Sequence, residues 1–295
     1  MIVLRGGRDV GPPQFSFNLD HAPSGEDLLG VGADLAPSTL LAAYSAGLFP
    51  MGLGPNGRPP IGWWSPDPRG VIRPGDLHIS RSLNRVIDRF EVTVDRAFSQ
   101  VVEGCADPSR DGRWITAKVA TAYRRLHEAG WAHSIEVWDD DGLAGGLYGV
   151  AINGLFAGES MFHRATNASK VALASLARIL TADGDPRRLI DVQWVTPHLA
   201  SMGAVAVPRD TYRVMLRSAM AAPPVAWATN EVRDQNPVCR VVTAFDRLKQ
   251  REAPHPSERS HVGASGGIGR EESDGRPGGL TRERLREPKN REWTP

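Results

Sequence analysis

The chain has 295 residues, of which 41% are hydrophobic, with two cysteines and a formal net charge of +1. This composition is typical of a soluble globular protein of one or two domains, and the small net charge argues against a chain that binds polyanions over its whole surface. Cys105 and Cys239 lack metal-ligand spacing, so neither a disulfide framework nor a zinc site is expected. Without a signal peptide or a membrane-length apolar run, we expect a cytoplasmic protein with no membrane partner.

Residues 1–70 are predicted to form a small, loop-rich N-terminal domain. Its one short helix lies in the stretch APSTLLAAYSAGLF, where Ser38 can cap the helix and Gly47 can end it. Connections rich in proline and glycine surround this helix, which is typical of a unit with little regular structure.

A second domain, residues 71–235, is predicted to contain a helix over 116–130. Thr116 is a suitable N-cap, Val119, Tyr123 and Leu126 recur at helical spacing, and Gly130 can end the helix.

Three strands are then predicted, with Asn153 and Gly154 as a hairpin turn between the last two. A helix capped by Asn167 follows, and a strand at 189–194 closes the pattern. This order of helix, antiparallel meander, helix and strand predicts an α+β (mixed α/β) fold with helices packed on one sheet. Residues 251–295 have the composition of a disordered tail.

Three polar side chains stand out among apolar neighbours. In the stretch LIDVQW, strand alternation would place Asp191 and Gln193 on one face, either of an edge strand in water or of a pocket. Glu159 lies among small and apolar residues and is expected either at the sheet surface or in a functional pocket. No serine-hydrolase elbow, P-loop, zinc-protease helix or Rossmann glycine pattern accompanies them.

Several long stretches resemble one family. AAYSAGLFPMG, WWSPDPRGVI, WITAKVATAYRRLHEAGWAHSIEVW, GGLYGVAINGLFAGESMFHRATNASKVAL and LIDVQWVTPHLASMGA closely resemble leucyl/phenylalanyl-tRNA protein transferases, in order from about residue 32 to about residue 212. The resemblance implies an acyl-CoA N-acyltransferase-like domain preceded by a small N-terminal domain. The tail lies outside it.

The resemblance also implies a reaction. Leu or Phe, and also Met, is transferred from aminoacyl-tRNA to the N-terminal Arg or Lys of an acceptor protein, forming a peptide bond and creating a degradation signal. No CoA, nucleotide or metal takes part. The loop FHRATNAS lacks the glycine-rich run of backbone donors that binds the CoA pyrophosphate, so CoA is disfavoured on the residues as well.

By resemblance, three residues act at the reacting groups. Asp191 would orient the incoming amine, with a possible role as its proton acceptor, and Gln193 would hydrogen-bond near the developing oxyanion. Glu159 would hold the donor's α-ammonium group or an acceptor cation. The proton acceptor stays open at this point.

The resemblance further implies an apolar side-chain pocket that accepts Leu, Phe and Met and excludes β-branched or charged side chains. Its expected residues are Leu147, Phe156 and Ile190, with Trp114 and Tyr123 nearby. Two positions depart from the family: Met51 stands where many members have Trp, and Thr196 where an Asn is frequent. The lost aromatic ring is expected to affect stacking on the terminal adenosine.

Contacts with tRNA are expected mainly at phosphates, because one enzyme of this kind uses tRNAs of different sequence. The candidates are Arg69, Arg73, Arg81 and Arg85, and the alternative is a solvated basic surface. Two other functions stay open: a CoA-dependent N-acetyltransferase on the same fold, and a non-catalytic binder of aminoacyl-tRNA or of N-terminal residues.

Overall fold

The computed structural model describes residues 4–110 and 112–227, so the predicted domain end at 235 and the tail at 251–295 lie outside the described residues. Ten strands and seven α-helices occur in these ranges, and the predicted α+β fold is confirmed. Within the same ranges, none of the helices combines the length and the apolar character that a membrane crossing requires.

The N-terminal unit consists of one helix and a three-stranded antiparallel sheet in the order β1–β3–β2. Its elements are β1 (Leu28–Val31), α1 (Pro37–Ala46), β2 (Phe49–Gly52) and β3 (Ile61–Trp64). The predicted Ser38 cap is wrong: α1 begins at Pro37, whose missing N–H leaves one donor fewer to satisfy, and no side chain caps it. Gly47 ends the helix as predicted, with a φ of 91°.

A seven-stranded sheet in the order β10–β4–β9–β8–β7–β6–β5 forms the centre of the molecule. Its strands are β4 (Arg69–Ile72), β5 (Glu91–Val94), β6 (Ala132–Asp139), β7 (Gly142–Ile152), β8 (Leu155–His163), β9 (Leu189–Gln193) and β10 (Val205–Val207). Neighbouring strands are antiparallel except for β8 and β9, which are parallel. The predicted domain boundary at residue 70 falls inside β4.

Helices cover both faces of this sheet, and each face has its own hydrophobic core. They are α2 (Arg81–Val86), α3 (Phe98–Cys105), α4 (Ala117–Glu128), α5 (Ala168–Thr181), α6 (Pro197–Ser201) and α7 (Arg209–Met220). The helices α1, α3, α4 and α7 pack on one face, while α2, α5 and α6 pack on the other.

The predicted ends of two helices have different outcomes. Thr116 caps α4 as predicted, because its side chain accepts a hydrogen bond from the Val119 N–H at 3.3 Å. Asn167 does precede α5, but its backbone is left-handed, with a φ of 73°, and its side chain makes no capping bond. The extended backbone that a capping side chain needs is absent there.

A bulge in β8 changes which side chains face each core. Glu159 is an extra residue with no partner in β7, whereas Gly158 and Ser160 on either side are paired. Alternation predicts that Phe156 and Phe162 share a face. That prediction is wrong, because the bulge separates them and they pack in different cores.

A second bulge lies at the end of β9. Val71 pairs with Asp191, and the adjacent Gly70 pairs with Gln193, so Val192 is the extra residue. Gln193 adopts a left-handed φ of 56°. The prediction that Asp191 and Gln193 share one face is therefore wrong, and the two side chains have different surroundings.

Candidate active site

A largely apolar cavity lies beside the paired strands β8 and β9. The helices α5 and α6 and strand β2 of the N-terminal unit complete its wall. Eight residues predicted from the sequence line it: Met51, Trp114, Leu147, Phe156, Glu159, Ile190, Gln193 and Thr196. Tyr123 and Asp191 do not line it and lie behind the wall. The structure thus brings most of the predicted site together.

Part of the apolar lining was not predicted as such. Leu173 and Leu176 of α5, Met161 of β8 and Leu199 of α6 all line the cavity. The helical spacing of Leu173 and Leu176 does indicate a buried face of α5. Periodicity shows that a face is buried, but it does not show whether protein or a cavity covers it.

Two tyrosines hold the carboxylate of Glu159. The Tyr44 hydroxyl donates to Oε1 at 2.7 Å and the Tyr123 hydroxyl donates to Oε2 at 2.6 Å, while the two hydroxyl oxygens lie 2.5 Å apart. Tyr44 belongs to α1 of the N-terminal unit, 115 positions from Glu159. No local sequence signal connects two residues at that separation, and Tyr44 was missed for this reason.

The buried position of Glu159 controls its ionisation. Burial raises the pKa of Glu159 from 4.5 to about 7, and the hydrogen bonds from Tyr123 and Tyr44 counteract that rise. Glu159 is 7% exposed, at the cavity wall. A carboxyl group with this pKa changes its charge within the physiological range and is a candidate for contact with a cationic group.

Asp191 forms a buried ion pair with Arg69. Arg69 Nε donates to Asp191 Oδ1 at 2.8 Å, Arg69 Nη2 donates to Oδ2 at 2.6 Å, and both side chains are 1% exposed. The Tyr212 hydroxyl donates to Oδ2 at 2.8 Å. The structure therefore contradicts the prediction that Arg69 contacts tRNA. Its guanidinium is buried and bonded to Asp191, which is 122 positions away, so it cannot reach a phosphate.

Gln193 has a different environment. Its side chain lines the cavity, while its backbone N–H donates to Asp191 Oδ1 at 3.0 Å. The amide Nε2 also lies 3.5 Å from the Asp191 carbonyl oxygen. Asp191 thus contacts Gln193 directly, although only Gln193 of the two reaches the cavity.

Aromatic rings form one side of the cavity next to Met51. Trp194 packs edge-on against Phe49, with centroids 5.2 Å apart, and against Trp64 at 6.4 Å. The Trp64 Nε1–H donates to the carbonyl oxygen of Met51 at 3.2 Å. Met51, at the position where the family resemblance implies an aromatic side chain, therefore lines the cavity together with Phe49 and Trp194.

The other predicted tRNA contacts lie at the surface. Arg73, Arg81 and Arg85 are all exposed, and the last two are one helical turn apart on α2. In the part of the chain that the structure describes, no group of three or more His, Cys, Asp or Glu side chains could hold a metal ion.

Two family models match the chain. The model of the leucyl/phenylalanyl-tRNA protein transferase matches residues 71–217, and the model of the N-terminal domain of that transferase matches residues 33–67. The matched ranges include the strands that carry Glu159, Asp191 and Gln193, and the helix that carries Tyr44.

Curated proteins named leucyl/phenylalanyl-tRNA–protein transferase are similar to most of the described chain. One from Shewanella baltica is 48% identical over 226 residues, which are 75% of this chain and 91% of that protein. Others from Klebsiella pneumoniae and Shigella dysenteriae are 50% and 52% identical over 187 residues, which are 63% of this chain and 78% of each relative. The chain therefore belongs to the leucyl/phenylalanyl-tRNA protein transferase family and is a transferase.

Proposed function

We propose that this enzyme transfers Leu, Phe or Met from aminoacyl-tRNA to the N-terminal Arg or Lys of acceptor proteins, in the cytoplasm. The new N-terminal residue then serves as a degradation signal. The observation that carries the proposal is the apolar cavity that has Glu159 and Gln193 in its wall. An apolar side chain and a polar aminoacyl group can be bound there side by side.

The cavity suits an apolar side chain that is not branched at Cβ, such as that of Leu, Phe or Met. Leu147, Phe156 and Ile190 contribute apolar surface from the sheet, and Leu173 and Leu176 contribute it from α5. A charged side chain would lose its hydration without gaining a partner in this part of the site, and a β-branched one is excluded by shape.

Glu159 supplies a negative charge next to this apolar surface. Its ionised form attracts the α-ammonium group of the donor amino acid or the cationic N-terminal residue of the acceptor. Binding either cation favours ionisation, and the hydrogen bonds from Tyr44 and Tyr123 hold the carboxylate in one orientation at the cavity wall.

In the reaction, the neutral α-amine of the acceptor attacks the carbonyl carbon of the aminoacyl ester. The new C–N bond forms, the C–O bond to the ribose breaks, and the proton lost by the amine balances the proton gained by the ribose hydroxyl. Gln193 lines the cavity, and the role assigned to its side-chain N–H is to stabilise the oxyanion. Because the ester is already activated, correct positioning of the two substrates supplies much of the rate.

Binding of the tRNA body is assigned to Arg73, Arg81 and Arg85, on phosphates and without base readout. They are three of the four predicted arginines, and Arg69 is left out because it is enclosed in protein. They lie on the exposed surface, where the arginine side chains can reach a polyanion.

The test is transfer of labelled leucine from leucyl-tRNA to a protein that begins with Arg. Glu159→Ala and Gln193→Ala are expected to lower transfer at least tenfold, and Glu103→Ala and Gln100→Ala, which remove the same side-chain types from the surface of α3, are expected to transfer like the wild type.

Two results would contradict the proposed function. A wild type that binds leucyl-tRNA without transferring leucine would be a non-catalytic binder, whereas saturable acetyl transfer from acetyl-CoA would indicate the N-acetyltransferase. Equal losses in the cavity variants and the α3 variants would contradict the assignment of the site.

A further inference from the structure

We propose that Arg69 and Tyr212 are positioning residues of the transfer reaction, and that they act on Gln193 through Asp191. This inference rests on the proposed function. Neither residue lines the cavity, and both are almost completely buried, at 0% and 1% exposure. Any effect on the reaction must therefore pass through a neighbour.

The Asp191 carboxylate is saturated with hydrogen bonds. Oδ1 accepts from Arg69 Nε at 2.8 Å and from the Gln193 backbone N–H at 3.0 Å. Oδ2 accepts from Arg69 Nη2 at 2.6 Å and from the Tyr212 hydroxyl at 2.8 Å. A carboxylate offers about four acceptor directions, and these donors occupy all of them.

One of these four bonds holds Gln193. A residue with a side chain rarely adopts a φ of 56°, and it does so when its surroundings make up for the cost. Here the Asp191 oxygen accepts the Gln193 N–H within the bulge, so the left-handed turn at the end of β9 depends on where this carboxylate points. The direction of the Gln193 side chain into the cavity depends on the same turn.

Arg69 in turn fixes the carboxylate. Its guanidinium lies between the rings of Phe49, at 5.0 Å, and Tyr212, at 4.5 Å, and its Nη1 donates to the Gly47 carbonyl at 3.1 Å. These contacts hold the planar group in one orientation, and a two-point bond between guanidinium and carboxylate passes this orientation on to Asp191.

A consequence concerns the role of Asp191 itself. Its side chain is 1% exposed, and an incoming ammonium group would find no free acceptor direction on it. To accept the amine proton, Asp191 would have to break a bond to Arg69 or Tyr212. Asp191 therefore acts by holding Gln193, in place of the direct contact with the amine that the family resemblance implies.

The experiment is a double-mutant cycle on the full-length protein. Tyr212→Phe and Arg69→Lys are each made alone and together with Gln193→Ala, and kcat and KM for leucyl-tRNA are measured for every variant. Tyr212→Phe leaves the ion pair in place, so it keeps the test valid if Arg69→Lys does not fold. Arg188→Lys is the matched control, because Arg188 is buried and bonds the Asn153 and Pro223 carbonyls outside the cavity.

We expect Tyr212→Phe and Arg69→Lys each to lower kcat about tenfold and to change KM less than twofold. A misplaced Gln193 amide stabilises the transition state less well but does not affect tRNA binding. In the Gln193→Ala background the same two substitutions should lower kcat less than a further twofold. Arg188→Lys should keep the wild-type kcat. Full additivity with Gln193→Ala, or a loss confined to KM, would overturn the proposal.

A second measurement does not depend on turnover. Hydrogen exchange of the Gln193 amide should be at least tenfold faster in Arg69→Lys and Tyr212→Phe than in the wild type, and unchanged in Arg188→Lys. Unchanged exchange in the first two variants would overturn the positioning role. If the wild type transfers no leucine, the proposed function fails while this exchange test still decides whether Arg69 and Tyr212 position Gln193.

Discussion

The ionisation of Glu159 gives the sharpest prediction from the site. Tyr44→Phe removes the hydroxyl that donates to Glu159 Oε1 at 2.7 Å and leaves the ring in the core. A hydrogen bond to a charged group contributes roughly 1.5–3 kcal/mol, so its loss should raise the pKa of Glu159 by at least about one unit above its value of about 7. The ionised fraction at pH 7 then falls from about one half to about one tenth.

The assay is kcat/KM for leucyl-tRNA as a function of pH. Activity should need the ionised carboxylate, so the acid limb of the profile should move to higher pH, with a loss of about fivefold at pH 7 and little loss above pH 9. Tyr148→Phe is the matched control, because Tyr148 is equally buried and its hydroxyl makes no hydrogen bond.

The reasoning would be refuted by a Tyr44→Phe profile that is lowered equally at every pH, since that result would reflect altered packing and not altered ionisation. It would also be refuted if Tyr148→Phe moved the acid limb as far as Tyr44→Phe does.

Three further predictions follow. Burial raises the pKa of Glu159 from 4.5 to about 7, so between these pH values the unfolded chain loses the proton that the folded protein keeps. The free energy of unfolding should therefore fall by about 3 kcal/mol as pH rises from about 4.5 to about 7, and denaturant titrations of Glu159→Gln should lack this dependence. Met51→Trp should lower KM for leucyl-tRNA about tenfold through stacking on a base, and an unchanged KM would contradict this. Replacing Arg81 and Arg85 of α2 together by Gln should raise the KM for leucyl-tRNA and reduce its salt slope by one to two. The control replaces Arg125 and Arg217 by Gln, because these arginines are also exposed but lie on the opposite face of the sheet, and it should leave both quantities unchanged.

Local sequence signals predicted the elements that depend on local physics. The spacing of Val119, Tyr123 and Leu126 and the cap at Thr116 define α4, because a helix satisfies its backbone within itself. Asn153 takes the positive φ of a tight hairpin turn, at 53°, as the Asn-Gly pair predicts. In such cases a few neighbouring residues contain all the information that the structure uses.

The errors have a different physical origin. Strict alternation failed at Glu159 and at Gln193, because a bulge depends on which partner strand is present and on where its register slips. Arg69 was predicted as a phosphate contact because it stands in one basic stretch with Arg73, Arg81 and Arg85. Its buried state depends on Asp191, which is 122 positions away. Long-range pairs of this kind leave no periodic pattern in the sequence.

These long-range pairs also explain why the site needs the N-terminal unit. Tyr44 of α1 holds Glu159, and the guanidinium of Arg69 is anchored on the Gly47 carbonyl and on the ring of Phe49. The negative charge of Asp191 tends to raise the pKa of Glu159, and the positive charge of Arg69 tends to lower it, so the ion pair allows two buried carboxyl groups to coexist. Without the N-terminal unit, Glu159 would lose the Tyr44 donor, and the guanidinium of Arg69 in β4 would lose its contacts with Gly47 and Phe49. The proposed active arrangement therefore depends on contacts between the N-terminal unit and the rest of the chain.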